Sequence, residues 1–482
     1  KPSVAADIAR ALGGFTRRGD HFESDGYVLS SAVGHLLELA VPEEFDVKRG
    51  KWSFAHLPVI PPRFELSPIE RGADRLNLLL RLLKRKDVDG LINACDAGRE
   101  GELIFRYIVQ HARARKPIQR LWLQSMTPAS IRDGFEQLRA DKELLPLADA
   151  AKSRSEADWL VGINGTRAMT AFNSKEGGFY LTTVGRVQTP TLTILVEREE
   201  RIREFKPRDY WEVHARFGAK AGEYPGRWFD PRFRKAEDAE RKAERLWRAA
   251  DAEAIVAACH GKPGSVSEET KPTTQASPLL FDLTSLQREA NGRFGFSARG
   301  TLALAQALYE RHKVLTYPRT DSRALPEDYV ATVKKAMDML SGDREYAPFA
   351  KAVLKNGWVK PNRRIFDNSK ISDHFAIIPT LQAPKSLTEI EAKLYDMVVK
   401  RFLAVFFPAA EFMVTTRITT VKAAAKEHTF QTNGKVMVKP GWLAVYGKEV
   451  QEDDANLVAV APGEVVRTEN VAVNALKTKP PA

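Results

Sequence analysis

The stretch from Val88 to Glu102 reads VDGLINACDAGREGE, and it decides how the first part of the chain is interpreted. Its apolar half, Val88 to Cys95, predicts a short buried strand. Arg99 to Arg113 follows with apolar residues at helical spacing, which predicts an amphipathic helix. We therefore expect Asp96 and Glu100 at the carboxyl end of a strand, the edge where open α/β sheets build their sites.

The two acids of this turn can be read in two ways. Mg²⁺ takes oxygen ligands and commonly binds through one or two carboxylates while it keeps several waters, so Asp96 and Glu100 predict a Mg²⁺ site. Helix capping explains the same residues equally well. Asp96 would then cap the helix, and Glu100 and Glu102 would favour its positive end.

A second stretch, from Lys313 to Ser322, reads KVLTYPRTDS. Pro318 restricts the backbone of Tyr317 before it, and the Arg319 guanidinium can bind a phosphate oxygen. A fixed phenol beside a fixed cation is what phosphoryl transfer to a tyrosine needs. The alternative is an ordinary loop tyrosine, since the chain has 11 tyrosines.

Bulk composition narrows the class of protein. Lys and Arg number 74 against 62 for Asp and Glu, a formal charge of +12, which favours a polyanionic partner such as nucleic acid. Cys95 and Cys259 cannot form a disulfide framework or a CxxC zinc ribbon, and they fit a reducing compartment. The most apolar stretch, Phe402 to Val414, is too short and too polar to span a bilayer, so we expect no membrane contact.

Both stretches resemble a known family. DAGREGE resembles the signature of the Toprim domain, which type IA topoisomerases, bacterial primases and some nucleases share. TYPRTDS resembles the active-site segment of type IA DNA topoisomerases, most closely in the bacterial topoisomerase III branch. Other matches follow in family order: Lys1-Pro2-Ser3, Val33-Gly34-His35-Leu36, Lys51-Trp52, Ala157–Arg167, Thr183–Pro190, Asp282–Gln287 and Asp373–Thr380. The chain departs from the family pattern at Gly98, where an Asp is common, and at Phe375, where a second histidine is usual.

The resemblance implies roles for individual residues. Tyr317 would be the nucleophile that forms a 5′-phosphotyrosine, and Arg319 would stabilise the pentavalent phosphate. Lys1 would assist the 3′ oxygen, with the family's glutamate directly before it, and His374 would bind phosphate. Asp96 and Glu100 would hold Mg²⁺. The implied DNA-binding residues are Trp52, Arg154, Trp159, Arg167, Thr183, Val184, Gly185, Arg186, Val187 and Gln188. A core tryptophan is the alternative for Trp159, and a satisfied histidine at a strand edge for His374.

The same resemblance implies a multidomain α/β plus α fold, in which a Toprim domain, helical domains and a β-arch form a toroidal clamp. We expect Toprim at 1–150, a helical DNA-binding domain at 151–210, the arch at 211–275 and 396–450, the tyrosine-bearing helical domain at 276–395, and a return to the DNA-binding domain at 451–482. Lys271 to Pro278, rich in Pro and Thr, is interpreted as a linker. We also expect the chain to begin inside an active-site segment and to stop before a further helix.

The expected function is ATP-independent cleavage and rejoining of one DNA strand, giving relaxation of negative supercoils and decatenation. The substrate would be single-stranded, negatively supercoiled or catenated DNA, and a helicase would be a possible partner protein. We expect a monomer located in the cytoplasm and associated with the nucleoid. The sequence contains no GxxxxGK[ST] phosphate loop, consistent with ATP independence. A Toprim nuclease or primase, and a non-enzymatic basic DNA-binding protein, remain the alternatives.

Overall fold

The structure is a computed structural model that describes residues 1–46, 52–123, 128–234, 238–371, 374–423, 426–447 and 457–481. Asp373 of the histidine segment and Lys51 lie outside these residues. The chain forms two compact units. Unit 1 comprises Lys1–Leu192 and Leu279–Leu403, and unit 2 comprises Thr193–Pro278 and Ala404–Ala482.

The amino-terminal part of the chain alternates short strands with helices. Its elements are α1 (Pro2–Leu12), β1 (Thr16–Arg18), β2 (His21–Glu23), β3 (Val28–Leu29), β4 (Leu37–Leu39), α2 (Pro42–Phe45), β5 (Leu66–Pro68), α3 (Ala73–Leu83), β6 (Leu91–Asn93), α4 (Arg99–Ala112), β7 (Ile118–Arg120), α5 (Pro128–Glu136), β8 (Arg139–Ala140), α6 (Asp141–Asn173) and α7 (Gln188–Glu204). The predicted strand and helix around Asp96 are confirmed as β6 and α4.

The remaining elements divide between strands and helices. They are β9 (Asp209–Ala219), β10 (Gly222–Phe229), α8 (Ala249–Cys259), β11 (Pro263–Gln275), α9 (Leu283–Phe294), α10 (Ala298–Glu310), α11 (Val330–Leu340), α12 (Ala347–Lys355), α13 (Glu389–Phe406), β12 (Ala410–Ala423), β13 (Lys426–Lys439) and β14 (Val465–Lys477).

In unit 1, β6 pairs in parallel with β7, which pairs antiparallel with β8. Apolar side chains cover this small sheet. Ile8 and Ile131 pack against Leu121 beside the sheet, while Leu103 and Tyr107 of α4 pack in a second cluster. These clusters fix the end of β6 and the start of α4, where the acids of the DAGREGE stretch lie.

The helices α9 to α13 bring the tyrosine segment against the histidine segment. Isolated bridges join Phe281 to Ile377 and Leu315 to Pro379. Ser297 accepts a hydrogen bond from the Gly300 amide and caps the start of α10. The bridge at Leu315 fixes the chain after α10 against the histidine segment, just before Tyr317.

Unit 2 is built on a closed barrel of six antiparallel strands in the order β10-β13-β12-β11-β14-β9. Phe217, Tyr224 and Phe430 fill its interior with Val466 of β14, and α8 contributes Ile255 to the same core. No helix in the described residues is long and apolar enough to cross a membrane.

The structure departs from four of the predicted domain and linker assignments. The return of 451–482 to a helical domain fails because β14 is a barrel strand, whose β-branched Val466 and Val471 are buried between neighbours. The boundary at residue 150 falls inside α6, a helix of 33 residues. The arch boundary at 396 falls inside α13, and most of the predicted linker 271–278 belongs to β11.

Candidate active site

Gly101 explains how the acidic turn folds. It is the third residue of α4, and it packs against the backbone of Asp96. A Cβ at this position would lie 2.2 Å from the Asp96 carbonyl oxygen, closer than any side chain tolerates. Gly98 stands at the helix N-cap, so the predicted capping by Asp96 is wrong, and its carboxylate points elsewhere.

The Asp96 carboxylate is bound by two cationic or basic side chains. Lys1 Nζ donates to Asp96 Oδ2 at 2.7 Å, and His374 Nε2 lies 3.7 Å from the same oxygen. Lys1 Nζ and His374 Nε2 are 3.2 Å apart. Burial disfavours the charged carboxylate, but the nearby His374 and the hydrogen bond from Lys1 outweigh it and hold the pKa of Asp96 well below its usual range.

Tyr317 lies directly over this cluster. Its ring centroid is 4.1 Å from Lys1 Nζ and 4.3 Å from the His374 ring centroid. Burial raises the pKa of the Tyr317 phenol, and the positive charge of Arg319 offsets part of that rise. The structure therefore brings together four of the predicted residues: Lys1, Asp96, Tyr317 and His374.

Hydrogen bonds hold the tyrosine segment in register with the histidine segment. The Thr316 amide donates to the Ile378 carbonyl at 3.0 Å, and Thr316 Oγ1 donates to the Ala376 carbonyl at 3.0 Å. Thr320 Oγ1 donates to the His374 carbonyl at 2.8 Å. Because these bonds flank Tyr317 on both sides, its ring is fixed relative to His374.

Glu100 faces a different partner. Its Oε2 lies 3.2 Å from His35 Nε2, and both side chains are exposed. Oxygen donors suit Mg²⁺, and the two carboxylates meet the minimum that such a site needs. At Asp96, however, the Lys1 ammonium already neutralises the charge that a metal would neutralise. The described residues hold no cluster of three metal-ligating side chains.

Sequence reasoning missed a buried ion pair beneath the site. Arg120 of β7 lies 3.2 Å from the Glu102 carboxylate, and both side chains are almost wholly buried. Arg120 also donates to the backbone carbonyls of Cys95 and Asp96 at 2.8 and 2.7 Å. It thus fixes the carboxyl end of β6. The signal in the sequence was Glu102, but sequence reasoning connects this acid only with the positive end of the helix dipole.

Tyr309 is a second residue that the sequence did not single out. Its ring meets the edge of the Tyr317 ring at a centroid distance of 5.4 Å. It belongs to α10, one helical turn before the chain enters the Lys313 stretch, and only the fold brings it to the phenol.

The predicted DNA-binding segment 183–188 lies on the loop before α7 and at its first residue. Val184 packs on Gly165 of α6, where a Cβ would lie 2.8 Å from Val184 Cγ1. Arg186 Nε donates to Asp158 Oδ1 at 2.6 Å, and Arg154 is near enough to act on the same carboxylate. The members of this segment that are exposed are Thr183, Arg186, Val187 and Gln188.

Trp159 and Arg167 do not lie where the resemblance placed them. Trp159 Nε1 donates to the Ala40 carbonyl at 3.1 Å, and its ring packs on Phe64 at 5.5 Å, so the core interpretation fits it. Arg167 is buried and donates to both oxygens of Glu43 at 2.8 and 2.9 Å. Both side chains are therefore engaged by other parts of the chain in this structure.

Trp52 keeps an accessible ring. Arg167 Cζ lies 5.4 Å from its centroid, and Phe179, itself exposed, lies 5.5 Å away. The two rings form an exposed aromatic pair, of which the sequence predicted only Trp52.

Comparisons with known proteins agree with this geometry. A family model described as "DNA topoisomerase" matches residues 143–482, and one described as "Toprim domain" matches residues 1–126. The chain belongs to the type IA DNA topoisomerase family. Its amino-terminal α/β part is the Toprim domain of that family, and Tyr317 lies within the part that the topoisomerase model covers. A primase or nuclease would account for the Toprim match but not for the topoisomerase match over residues 143–482.

Named relatives cover the whole chain. "DNA topoisomerase 3" of Shouchella clausii is 40% identical over 491 residues, and that of Bacillus subtilis is 38% identical over 492 residues. Each alignment covers 100% of this chain and 64% of the relative, so the chain spans less than two thirds of these proteins' length. The full-length topoisomerase I structure from Thermotoga maritima matches with a TM-score of 0.64 at 21% identity, covering 100% of this chain and 72% of that one, and it supports the fold.

Proposed function

We propose that the chain carries the strand-cleaving centre of an ATP-independent DNA topoisomerase that cuts and rejoins one strand through Tyr317. The observation that carries the proposal is the cluster around the phenol: Lys1 Nζ 4.1 Å from the ring centroid, bound in turn to Asp96 at 2.7 Å. A phenol is a weak nucleophile whose charged form needs cations nearby. Lys1 is next to it, and Arg319 acts on it electrostatically.

In the cleavage step, Tyr317 Oη gives its proton to solvent water and forms a bond to the phosphorus of a phosphodiester. The bond from phosphorus to the 3′ oxygen breaks, and that oxygen takes a proton, for which the Lys1 ammonium is the nearest donor. Arg319 stabilises the charge on the pentavalent phosphate. Rejoining is the reverse: the 3′ hydroxyl attacks the phosphotyrosine and the phenol is released. The number of phosphoester bonds is unchanged, so no ATP is consumed.

His374 has a supporting role in this proposal. Its ring lies between the phenol and the Asp96 carboxylate, with Nε2 3.2 Å from Lys1 Nζ. It is therefore placed to bind a phosphate oxygen while Lys1 serves the 3′ oxygen. Asp96 and Glu100 are the residues that would hold Mg²⁺, which when bound would supply positive charge to the DNA phosphates.

The finer expectations stay predictions. They are a ring-shaped clamp, relaxation of negative supercoils, decatenation, a helicase partner, a monomeric state and a nucleoid location. The exposed 183–188 loop and Trp52 support single-stranded DNA as the substrate, since both present groups suited to phosphates or bases.

The deciding experiment traps the covalent intermediate. The protein is incubated with labelled, negatively supercoiled DNA and Mg²⁺, and a denaturant is added. We expect DNA joined to protein through a 5′-phosphotyrosine. Tyr317→Phe should give no adduct, because it lacks the attacking oxygen, and should still bind single-stranded DNA. The matched control is Tyr309→Phe, which keeps an aromatic ring beside Tyr317 and should still form the adduct. Adduct formation by Tyr317→Phe would overturn the assignment.

A further inference from the structure

A basic groove lies in unit 1 beside the nucleophile segment and has no part in the chemistry above. Its volume is about 620 Å³. Arg10 of α1 and Arg132 of α5 line one wall, and Lys313, Thr380 and Gln382 line the other. Asp7 is the acid among its lining residues, and its carboxylate accepts a hydrogen bond from Arg10 at 2.8 Å. The charged lining is therefore positive on balance.

Lys313 holds an unusual backbone conformation at this groove. Its φ is +59°, in the left-handed region that glycine adopts easily and side-chain-bearing residues rarely do. Bonds on both sides over-determine that conformation: the Val314 amide donates to the Leu308 carbonyl at 2.9 Å, and Thr380 Oγ1 donates to the Lys313 carbonyl at 2.7 Å. A strained residue with an exposed cationic side chain, held in place beside a nucleophile, points to a role for that side chain.

The groove is connected to the phenol by two routes. Lys313 Nζ lies 5.8 Å from the Tyr309 ring centroid, and Tyr309 meets Tyr317 at 5.4 Å. On the other wall, α1 begins at the Lys1 side chain beside Tyr317 and carries Arg10 about 14 Å further along the helix axis. Lys313 and Arg10, on the two walls of the groove, are therefore each linked to the phenol through a neighbouring part of the chain.

We propose that this groove binds the phosphodiester backbone of the DNA strand on the 3′ side of the break, the fragment that remains joined to Tyr317. This proposal rests on the proposed function. Arg10, Arg132 and Lys313 would contact phosphates, and the Gln382 side-chain amide would donate to phosphate or sugar oxygens.

The first test measures the salt dependence of binding. In a Tyr317→Phe background, a labelled single-stranded oligonucleotide is titrated at several salt concentrations. Each phosphate contact contributes a slope of about 0.7 in log K against log salt for single strands. Lys313→Gly with Arg132→Ala should lower the slope by about 1.4. An unchanged slope would overturn the proposal, because it would show that the groove contacts no DNA phosphate.

The variants are chosen to separate charge from folding. Lys313→Gly removes the cation and also relieves the backbone strain, so a purely structural role predicts no loss of binding. Lys313→Arg keeps the charge and should bind like the parent. The matched control removes two exposed lysines of α12 instead, Lys351→Ala with Lys355→Ala, and should leave the slope unchanged.

The second test determines whether the groove binds the DNA on the 3′ side or on the 5′ side of the break. Once the break has been mapped, oligonucleotides are shortened stepwise from the 3′ end, and the adduct yield is measured with Tyr317 intact. We expect the yield to fall several-fold when only one nucleotide remains beyond the break, and we expect the Lys313→Gly, Arg132→Ala protein to lose that dependence. Dependence on the 5′ length alone would overturn the assignment to the 3′ arm. If the unaltered protein formed no adduct with any oligonucleotide, the proposed function would fail, whereas the salt slope would still report on the groove.

Discussion

Individual side chains in this protein are held by partners far away in the sequence. Lys1 contacts Asp96, which is 95 positions away in the sequence, and His374, which is 373 positions away. Such pairings cannot be read from local spacing, because periodicity reports only which face of an element is buried. The sequence predicted that Asp96 ends a strand and that Tyr317 follows a helix. It could not show that Lys1, rather than a second acid, is the nearest partner of Asp96.

The two tryptophans assigned to DNA differ in a way that can be measured. Trp52 presents an exposed ring, whereas Trp159 packs on Phe64 and donates to the Ala40 carbonyl. Trp52→Ala should weaken single-stranded DNA binding by about 1–3 kcal/mol, the range for loss of one stacked base. Trp159→Phe keeps an aromatic ring in the core and should leave the affinity unchanged. Fluorescence anisotropy with a labelled oligonucleotide measures both, and equal losses would contradict the packing assignment.

At the scale of elements, the turn from β6 to α4 depends on the closeness of two backbones. Gly101→Ala would place a methyl group against the Asp96 carbonyl and force the turn apart, at a cost of about 3 kcal/mol. We expect a lower free energy of unfolding and a loss of covalent adduct, because Asp96 would leave Lys1. Denaturant unfolding and the trapping assay measure the two effects.

A glycine in α9 supplies the control for that substitution. A Cβ on Gly292 would meet nothing within 4 Å. Gly292→Ala should therefore stabilise its helix by up to about 1 kcal/mol and leave the adduct yield unchanged. If both variants behaved alike, the close approach of Gly101 to Asp96 would not be what holds the turn.

Elements whose apolar residues recur at a regular spacing could be predicted from the sequence, whereas elements with a mixed residue pattern could not. The helices α4, α6, α9 and α10 show apolar residues at helical spacing, and each formed. The end of the strand β11, from Lys271 onward, falls in the segment Lys271 to Pro278 that is interpreted as a linker because it is rich in Pro and Thr. Proline is tolerated there because β14 pairs with β11 only through Pro263–Ser265, so at Pro272 the described residues place a neighbouring strand on one side alone.

At the scale of the whole molecule, the chain builds two units, and each takes two separate segments of the sequence. The barrel of unit 2 has its own core, in which Phe217 is fully buried and its ring lies 5.3 Å from that of Phe430. The sequence predicted that strands occur on both sides of the tyrosine-bearing helices. It did not predict that they close into a barrel, because closure depends on long-range register rather than on local pattern.

A core substitution should therefore act on one unit. Phe217→Ala should destabilise unit 2 by about 3–5 kcal/mol, since it leaves a cavity inside the barrel. Hydrogen exchange should accelerate in β9, β10 and β13 and stay slow around Leu286 of α9. Val465→Ala, at an exposed position of β14, is the control and should change stability by no more than about 0.5 kcal/mol. Equal acceleration in α9 would contradict independent cores.

The position of β14 in the barrel has a consequence for biosynthesis. This strand lies between β11 and β9, yet it is the last of the barrel strands to leave the ribosome, about 190 residues after β11 and about 250 residues after β9. Until it arrives, β9 and β11 expose unpaired backbone edges of the kind to which other chains can add. A nascent chain stalled before residue 465 should therefore be prone to aggregate through these two edges, and a chaperone that covers them should suppress that aggregation.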